Sequence, residues 1–302
     1  MAILANNSLD LHIAPGMFWK KSLAQFFRKD KNEFMDDHQF CQVLNRFGFS
    51  WSGYRKVRKG VKKRIKRQMN DLGCRSFSAY LMELDKSDEV GKKCELLLTV
   101  SISRFFRDRE LWQSLEKKIL PELIHKNSEK INVWSAGCAC GDEVYSFKIV
   151  WDDLQNSVGH LPKLELIATD MNPEYLDIAR AGIYSSSSLK EVTKEFQTRY
   201  FKKKKGKKVF EINAWLKKDI VWKIHHLLYD PPGSKFDIIF LRNNVLTYYE
   251  DLLKKKAFRK ILDSLAPFGF LIIGSHESLP FETRELTEIK PHPFVFRKID
   301  VR

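Results

Sequence analysis

Residues 131–154 read INVWSAGCACGDEVYSFKIVWDDL, and the order of features in that stretch decides the fold. The apolar run 131–135 has the length and composition of a buried strand. It ends in the turn Gly137-Cys-Ala-Cys-Gly141, whose two glycines let a ligand approach the backbone closely. Asp142 and Glu143 follow, and a helix is expected over 143–154. The same unit recurs outward. A strand over 164–169 ends at Asp170 and leads into a helix over 173–181. Another strand, 236–241, is followed by a helix over 252–265 and a strand over 270–273. Residues 111–125 read as a helix before the first strand, and 294–299 is expected to close the chain as an edge strand. Repeated βα units predict an α/β fold with a doubly wound, mostly parallel sheet. The lysine-rich turn 202–208, flanked by Phe201, Val209, Phe210 and Ile212, predicts a small β insertion at about 200–222.

Residues 1–98 read as helices only. Segments 18–27 and 33–47 are amphipathic, and in 54–72 Val57, Val61, Ile65 and Met69 recur every fourth residue, which lines them along one helix face. Gly73 is a plausible C-terminal cap, with a further helix over 77–84. The expected division is therefore a helical part, 1–98, and an α/β part, 99–302. Around the stripe sit Arg55, Lys56, Arg58, Lys59, Lys62, Lys63, Arg64, Lys66 and Arg67, with no acid among them. A charge run is usually a solvated face, but this one is denser than solubility requires and predicts a surface for an acidic partner.

The chain of 302 residues carries 53 Lys and Arg against 38 Asp and Glu, a net charge of +15 that does not by itself separate nucleic acid from acidic protein as the partner. Hydrophobic residues at 43% and charged ones at 30% exclude the disordered, collagen-like and disulfide-scaffold classes. No apolar run approaches the roughly 20 residues of a membrane helix. The first 16 residues lack the pattern of a signal peptide, so no membrane insertion and a cytoplasmic location are expected. Five scattered cysteines, with Cys138 and Cys140 one residue apart, do not match zinc-ligand spacing, and no metal is expected.

In open α/β sheets ligands bind beyond the carboxyl ends of the strands. Three such ends carry suitable chemistry: the Gly137–Gly141 turn with Glu143, Asp170 placed to accept from ribose hydroxyls, and Arg242-Asn243-Asn244. A glycine loop paired with a strand-terminal acid points to a nucleoside cofactor. The dinucleotide pattern G-x-G-x-x-G is absent, and an acidic pair at the helix start opposes a pyrophosphate there. A neutral or cationic nucleoside fits better, such as S-adenosylmethionine with its sulfonium.

Several strings then carry a family resemblance. Thr99-Val-Ser-Ile-Ser-Arg-Phe-Phe-Arg-Asp108 resembles the T-x-x-x-T-x-F-F-R stretch, followed by an acid, of the CheR family, the S-adenosylmethionine-dependent protein-glutamate O-methyltransferases of bacterial chemotaxis. Residues 134–146, WSAGCACGDEVYS, resemble its W-S-A-x-x-x-x-G-E-E-P-Y-S. Ala168-Thr-Asp-Met-Asn172 and Ala179-Arg-Ala-Gly-Ile-Tyr184 are similar to two further motifs, and Phe236-Asp-Ile-Ile-Phe-Leu-Arg-Asn243 to F-D-x-I-F-C-R-N. The resemblance covers nearly the whole chain and implies a class I methyltransferase fold. It implies cofactor contacts at Ser101, Ser103, Arg107, Gly137, Glu143, Asp170, His226, Leu227, Arg242 and Asn243. It also implies catalytic roles for Arg107 and Tyr248. Departures are Val144 for a proline, His226 for an amide, an extra Asn244, and Gly274-Ser-His-Glu277 where the family has G-H-S-E.

The reaction so implied yields a glutamate methyl ester and S-adenosylhomocysteine. A glutamate side chain is ionised near neutral pH and needs no general base, so the enzyme supplies mostly positioning. The acidic methylation helices of chemotaxis receptors, or a related acidic protein, become the expected partner of Arg55, Arg58, Lys59, Lys62, Lys63, Lys66 and Arg67. Two alternatives remain open on the sequence: a non-catalytic module that binds the cofactor, favoured by the exchanged 274–277 motif, and a nucleic-acid methyltransferase, for which no base-stacking pocket is evident.

Overall fold

The computed structural model describes residues 35–126, 129–206, 208–233 and 235–300. The helix expected over 18–27 lies outside the described residues. Helix α1 (Asp37–Arg46) begins at a capping box in which the Asp36 carboxylate accepts from the Gln39 amide and the Gln39 side chain accepts from the Asp36 amide. The stretch expected as one helix over 54–72 divides into α2 (Trp51–Tyr54) and α3 (Arg58–Asp71). Helix α2 is docked on the sheet side: the Ser50 amide donates to the Tyr248 carbonyl at 2.7 Å, and a Cβ on Gly53 would stand 2.3 Å from the Thr247 carbonyl oxygen. Val61, Ile65 and Met69 are buried along one face of α3. Gly73 adopts φ +69° just beyond it, and the Cys74 amide returns to the Met69 carbonyl.

Helices α4 (Phe77–Lys86) and α5 (Asp88–Leu98) complete the helical part. Buried Gln68 ties the three together, donating to the Val90 carbonyl at 3.1 Å and accepting from the Tyr80 hydroxyl at 2.7 Å. The helix expected over 111–125 forms as α6 (Arg109–Ser114) and α7 (Leu120–Lys126), joined by a π turn at Leu115–Ile119. Pro121 has no amide to donate back to residue 117, which accounts for the change of register there.

The sheet follows from β1 (Lys130–Ala136), with α8 (Asp142–Val158), β2 (Lys163–Asp170) and α9 (Pro173–Ala181). Strands β3 (Ile183–Ser185), β4 (Phe201–Lys203) and β5 (Val209–Ile212), with α10 (Lys194–Tyr200), make a separate three-stranded antiparallel sheet in the order β3-β5-β4. The β insertion expected at about 200–222 thus differs in extent. It begins at Ile183, whereas β6 (Ile220–Ile224) pairs with β2 in the main sheet. Strand β7 (Phe236–Leu241), α11 (Val245–Tyr248), α12 (Asp251–Ser264), β8 (Leu265–Ile273), β9 (Leu286–Ile289) and β10 (His292–Lys298) complete the chain.

The main sheet has the order β6-β2-β1-β7-β8-β10-β9, parallel from β6 to β8 and antiparallel at β10 and β9. The expectation of 294–299 as an edge strand is corrected here. β10 lies between β8 and β9 with Val295 and Phe296 buried, and the more polar Leu286–Ile289 takes the edge. Alternate residues supply two cores. Val133, Ile238, Phe240 and Ile272 face α6 to α8, while Trp134, Ile239, Leu241 and Leu271 face α12 and helices α1, α3, α4 and α5. The helical part therefore shares a core with one face of the sheet. Strand order reverses between β1 and β7, and the crevice beyond their carboxyl ends is the ligand position such a topology provides.

Candidate active site

A cleft enclosing about 960 Å³, part of it open to solvent, occupies that position. Its floor is the glycine turn after β1. Gly137 and Gly141 take φ +80° and +84°, and a Cβ at Gly137 would lie 2.4 Å from Asn244 Nδ2, so both positions need glycine. Asn244, the extra residue of its loop, donates from that amide to the Ala136 carbonyl and caps α11, locking the β7 loop onto the turn.

Asp170, at the end of β2, is 8% exposed. Its Oδ2 accepts from the Ala139 amide and its Oδ1 from the Asn172 amide, both at 2.9 Å. Burial pushes its pKa up while these backbone donors oppose the rise. A carboxylate has about four lone-pair positions, so each oxygen keeps capacity for a ribose hydroxyl.

At the end of β7 the Arg242 guanidinium lies between two acids. It donates to Glu143 Oε2 at 3.0 Å, to Asp108 Oδ2, and to the Arg107 carbonyl at 3.3 Å. Glu143 also accepts from the Ser135 hydroxyl at 2.8 Å, and Asp108 from the Ser275 hydroxyl at 3.2 Å. The Glu277 carboxylate accepts from the amides of Asn243 and Gly274 and from the Thr247 hydroxyl, holding Asn243 at φ +55°. The exchange in Gly274-Ser-His-Glu277 therefore puts a hydroxyl on Asp108 and leaves His276 exposed.

Arg107 differs from Arg242. Its guanidinium donates to the Ile102 carbonyl at 3.0 Å, and among the described residues it forms no ion pair. Burial, with the nearby Arg242 cation, holds its pKa below the usual arginine range. Tyr248 shares the cleft, its ring edge-on to Tyr54 at 5.0 Å between centroids, and burial pushes its phenol up to about 12.

Of the residues expected at the site, Ser103, Arg107, Gly137, Glu143, Asp170, Leu227, Arg242, Asn243 and Tyr248 line the cleft. Ser101 does not line it. His226 also lies behind the wall, with Nδ1 accepting from the Leu228 amide and Nε2 3.2 Å from both Glu95 Oε1 and the Tyr249 hydroxyl. Strand β6 stops at Ile224, so the next residues leave strand geometry, and His225 and Leu227 flank the cleft on either side of it. The opposite wall comes from Phe49, Tyr54 and Leu98 of the helical part, which strand-end reasoning does not reach, and from Thr99 just past α5. Of the basic residues, Arg58 and Lys62 pair with Asp37, whereas Arg55, Lys59, Lys63 and Arg67 are exposed and Lys66 is half-buried. Among the described residues no group of His, Cys, Asp and Glu is arranged to hold a metal, and no helix is long and apolar enough to cross a membrane.

A glycine turn, a buried ribose-ready carboxylate and a crevice at the point of strand reversal define a class I S-adenosylmethionine-dependent methyltransferase, and these residues fit that cofactor. Residues 101–295 match the CheR methyltransferase, SAM binding domain, and the chain belongs to that family. It is 33% identical over 204 residues to a chemotaxis protein methyltransferase of Listeria monocytogenes, covering 68% of this chain and 75% of that one. A chemotaxis protein methyltransferase of Borreliella burgdorferi is 30% identical over 245 residues, 78% of this chain and 85% of the relative. An uncharacterized 104.1 kDa protein of Rhodobacter capsulatus is 28% identical over 223 residues, and there the chain spans only 23% of the relative's length.

Proposed function

We propose that the protein is a cytoplasmic protein-glutamate O-methyltransferase that esterifies glutamate side chains of a methyl-accepting chemotaxis receptor or a related acidic protein. S-adenosylmethionine, when bound, supplies a sulfonium methyl group to an in-line nucleophile. Asp170 accepts from the ribose hydroxyls, and Glu143, Arg242 and Asn243 keep the β7 end of the cleft in shape. Arg107 and Tyr248 orient the acceptor carboxylate. No side chain has to remove a proton, because that carboxylate is already ionised at neutral pH. Residues 99–302 carry the transfer, and residues 1–98 recognise the acceptor through the exposed cations of α3.

The observation that supports this reading best is Arg107, a partly buried guanidinium with no carboxylate partner among the described residues, in the same cleft as Asp170. A partly desolvated cation without an ion pair gains from an anion that arrives to meet it. The test uses methyl-labelled S-adenosylmethionine with a chemoreceptor cytoplasmic fragment. Label that appears in the fragment and is released as methanol in mild alkali identifies an ester. Alkali-stable label, or label in an added oligonucleotide, would count against it.

A further inference from the structure

One cation of α3 does not serve the solvent-exposed face. Arg64, adjacent in sequence to exposed Lys63, is half-buried and turns toward the end of α5. Its Nε donates to the Leu97 carbonyl at 2.9 Å and its Nη2 to the Thr99 carbonyl at 2.7 Å. Thr99 is the first residue past α5 and lines the cofactor cleft. Its hydroxyl accepts from Asn172 Nδ2 at 3.0 Å, and the hydroxyl of Tyr175 stands 3.2 Å away. The Asn172 amide in turn donates to Asp170 Oδ1 at 2.9 Å. A continuous hydrogen-bonded route thus runs from the basic helix, through Thr99 and Asn172, to the carboxylate that meets the ribose.

We propose that Arg64 is a positioning residue that fixes Thr99 against the cleft and so couples acceptor docking on α3 to S-adenosylmethionine binding at Asp170. The inference rests on the reading of α3 as the docking helix. A cation donating to the last carbonyls of a helix is also an ordinary cap. The coupling role adds something a cap does not: the two ligands change each other's affinity by one common factor.

The test is calorimetric titration of S-adenosylhomocysteine into the full chain and its variants. Arg64→Gln is expected to weaken binding about fivefold, with Arg64→Lys recovering part of the loss and Lys255→Gln, at an exposed position of α12 outside the cleft, leaving affinity unchanged. Thr99→Val is expected to reproduce the loss, and the double variant to lose little more than the larger single one. In the wild type, S-adenosylhomocysteine is expected to change the affinity for a chemoreceptor cytoplasmic fragment, and Arg64→Gln to abolish that change. Unaltered S-adenosylhomocysteine affinity in folded Arg64→Gln, with only a lower melting temperature, overturns the proposal in favour of a cap. Should Arg64→Gln fail to fold, unaltered affinity in both Arg64→Lys and Thr99→Val overturns it equally. Fragment binding indifferent to Lys59→Gln and Lys63→Gln together would overturn the docking reading, a result kept apart because the titration contains no acceptor.

Discussion

The two walls of the cleft are built on different principles. On the sheet side, ionisable groups are crowded together and each is held by the protein: Asp170 by two amides, Arg242 by two carboxylates, Glu277 by two amides and a hydroxyl. On the helical side, Phe49, Tyr54 and Leu98 present mainly apolar surface. That wall is joined to the sheet by backbone bonds from Ser50 to Tyr248 and from Glu250 to Gly48, and by the close contact of Phe49 with Tyr249. The sheet wall fixes charges in advance of any ligand, and the helical wall controls what reaches them. Substitutions on the first should alter stability and chemistry together, while those on the second should alter access.

The largest effect is expected at Arg242, which is 5% exposed at its side chain. Arg242→Gln leaves Glu143 and Asp108 facing each other without a cation, and denaturant unfolding should record a loss of about 3 kcal/mol. A loss no greater than a surface substitution gives would break the contrast between the walls.

Asp142 sharpens it through pH. This carboxyl, 2% exposed at the start of α8, has an oxygen with no hydrogen-bond partner, and burial pushes its pKa from 3.8 up to about 6. A raised folded-state value means the stabilising contribution is complete below pH 3.8 and is lost as pH rises through about 6. Across that window the contribution of Asp142, read as the stability of the wild type against that of Asp142→Asn, should fall by up to about 3 kcal/mol. Equal pH dependence of stability in the wild type and in Asp142→Asn would remove Asp142 as a source of it.

Arg107→Ala should lower kcat/KM about 100-fold, the equivalent of one charge-assisted contact made to the acceptor, with little change in unfolding free energy. If the loss lay wholly in stability, Arg107 would belong with Arg242 rather than with the acceptor. The smallest effect is expected on the helical side. Replacing Lys59 and Lys63 together by Gln should slow association with an acidic receptor fragment about threefold at low salt and hardly at all at high salt.

The sheet wall was the more legible of the two in the sequence. Strands β1, β2 and β7 are mainly apolar, interrupted by Asn132, Glu165 and Asp237, and each stops at a glycine or a charged residue, so Gly137, Asp170 and Arg242 can be set at strand ends from the sequence alone. Helix α5 was missed because Gly91 and a mixed charge pattern blur its periodicity. The short strand β6 was absorbed into the insertion, since its outer edge is exposed and its pattern is weak. The place of β10 between β8 and β9 depends on pairing, which composition does not carry. His226 was expected beside the adenosine from the family pattern, but its direction follows from where β6 ends and from the Leu228 amide. The apolar wall from Phe49, Tyr54 and Leu98 was out of reach for a related reason: its residues meet the cleft only through long-range docking of the helices on the sheet.

The most direct test of the account is calorimetric titration of S-adenosylmethionine and S-adenosylhomocysteine into the wild type and Asp170→Ala. The account predicts saturable binding of both by the wild type, weakened at least about tenfold by the substitution, because a buried carboxylate that meets the ribose is lost. Absence of binding to the wild type, or equal affinity in a folded Asp170→Ala variant, would contradict it.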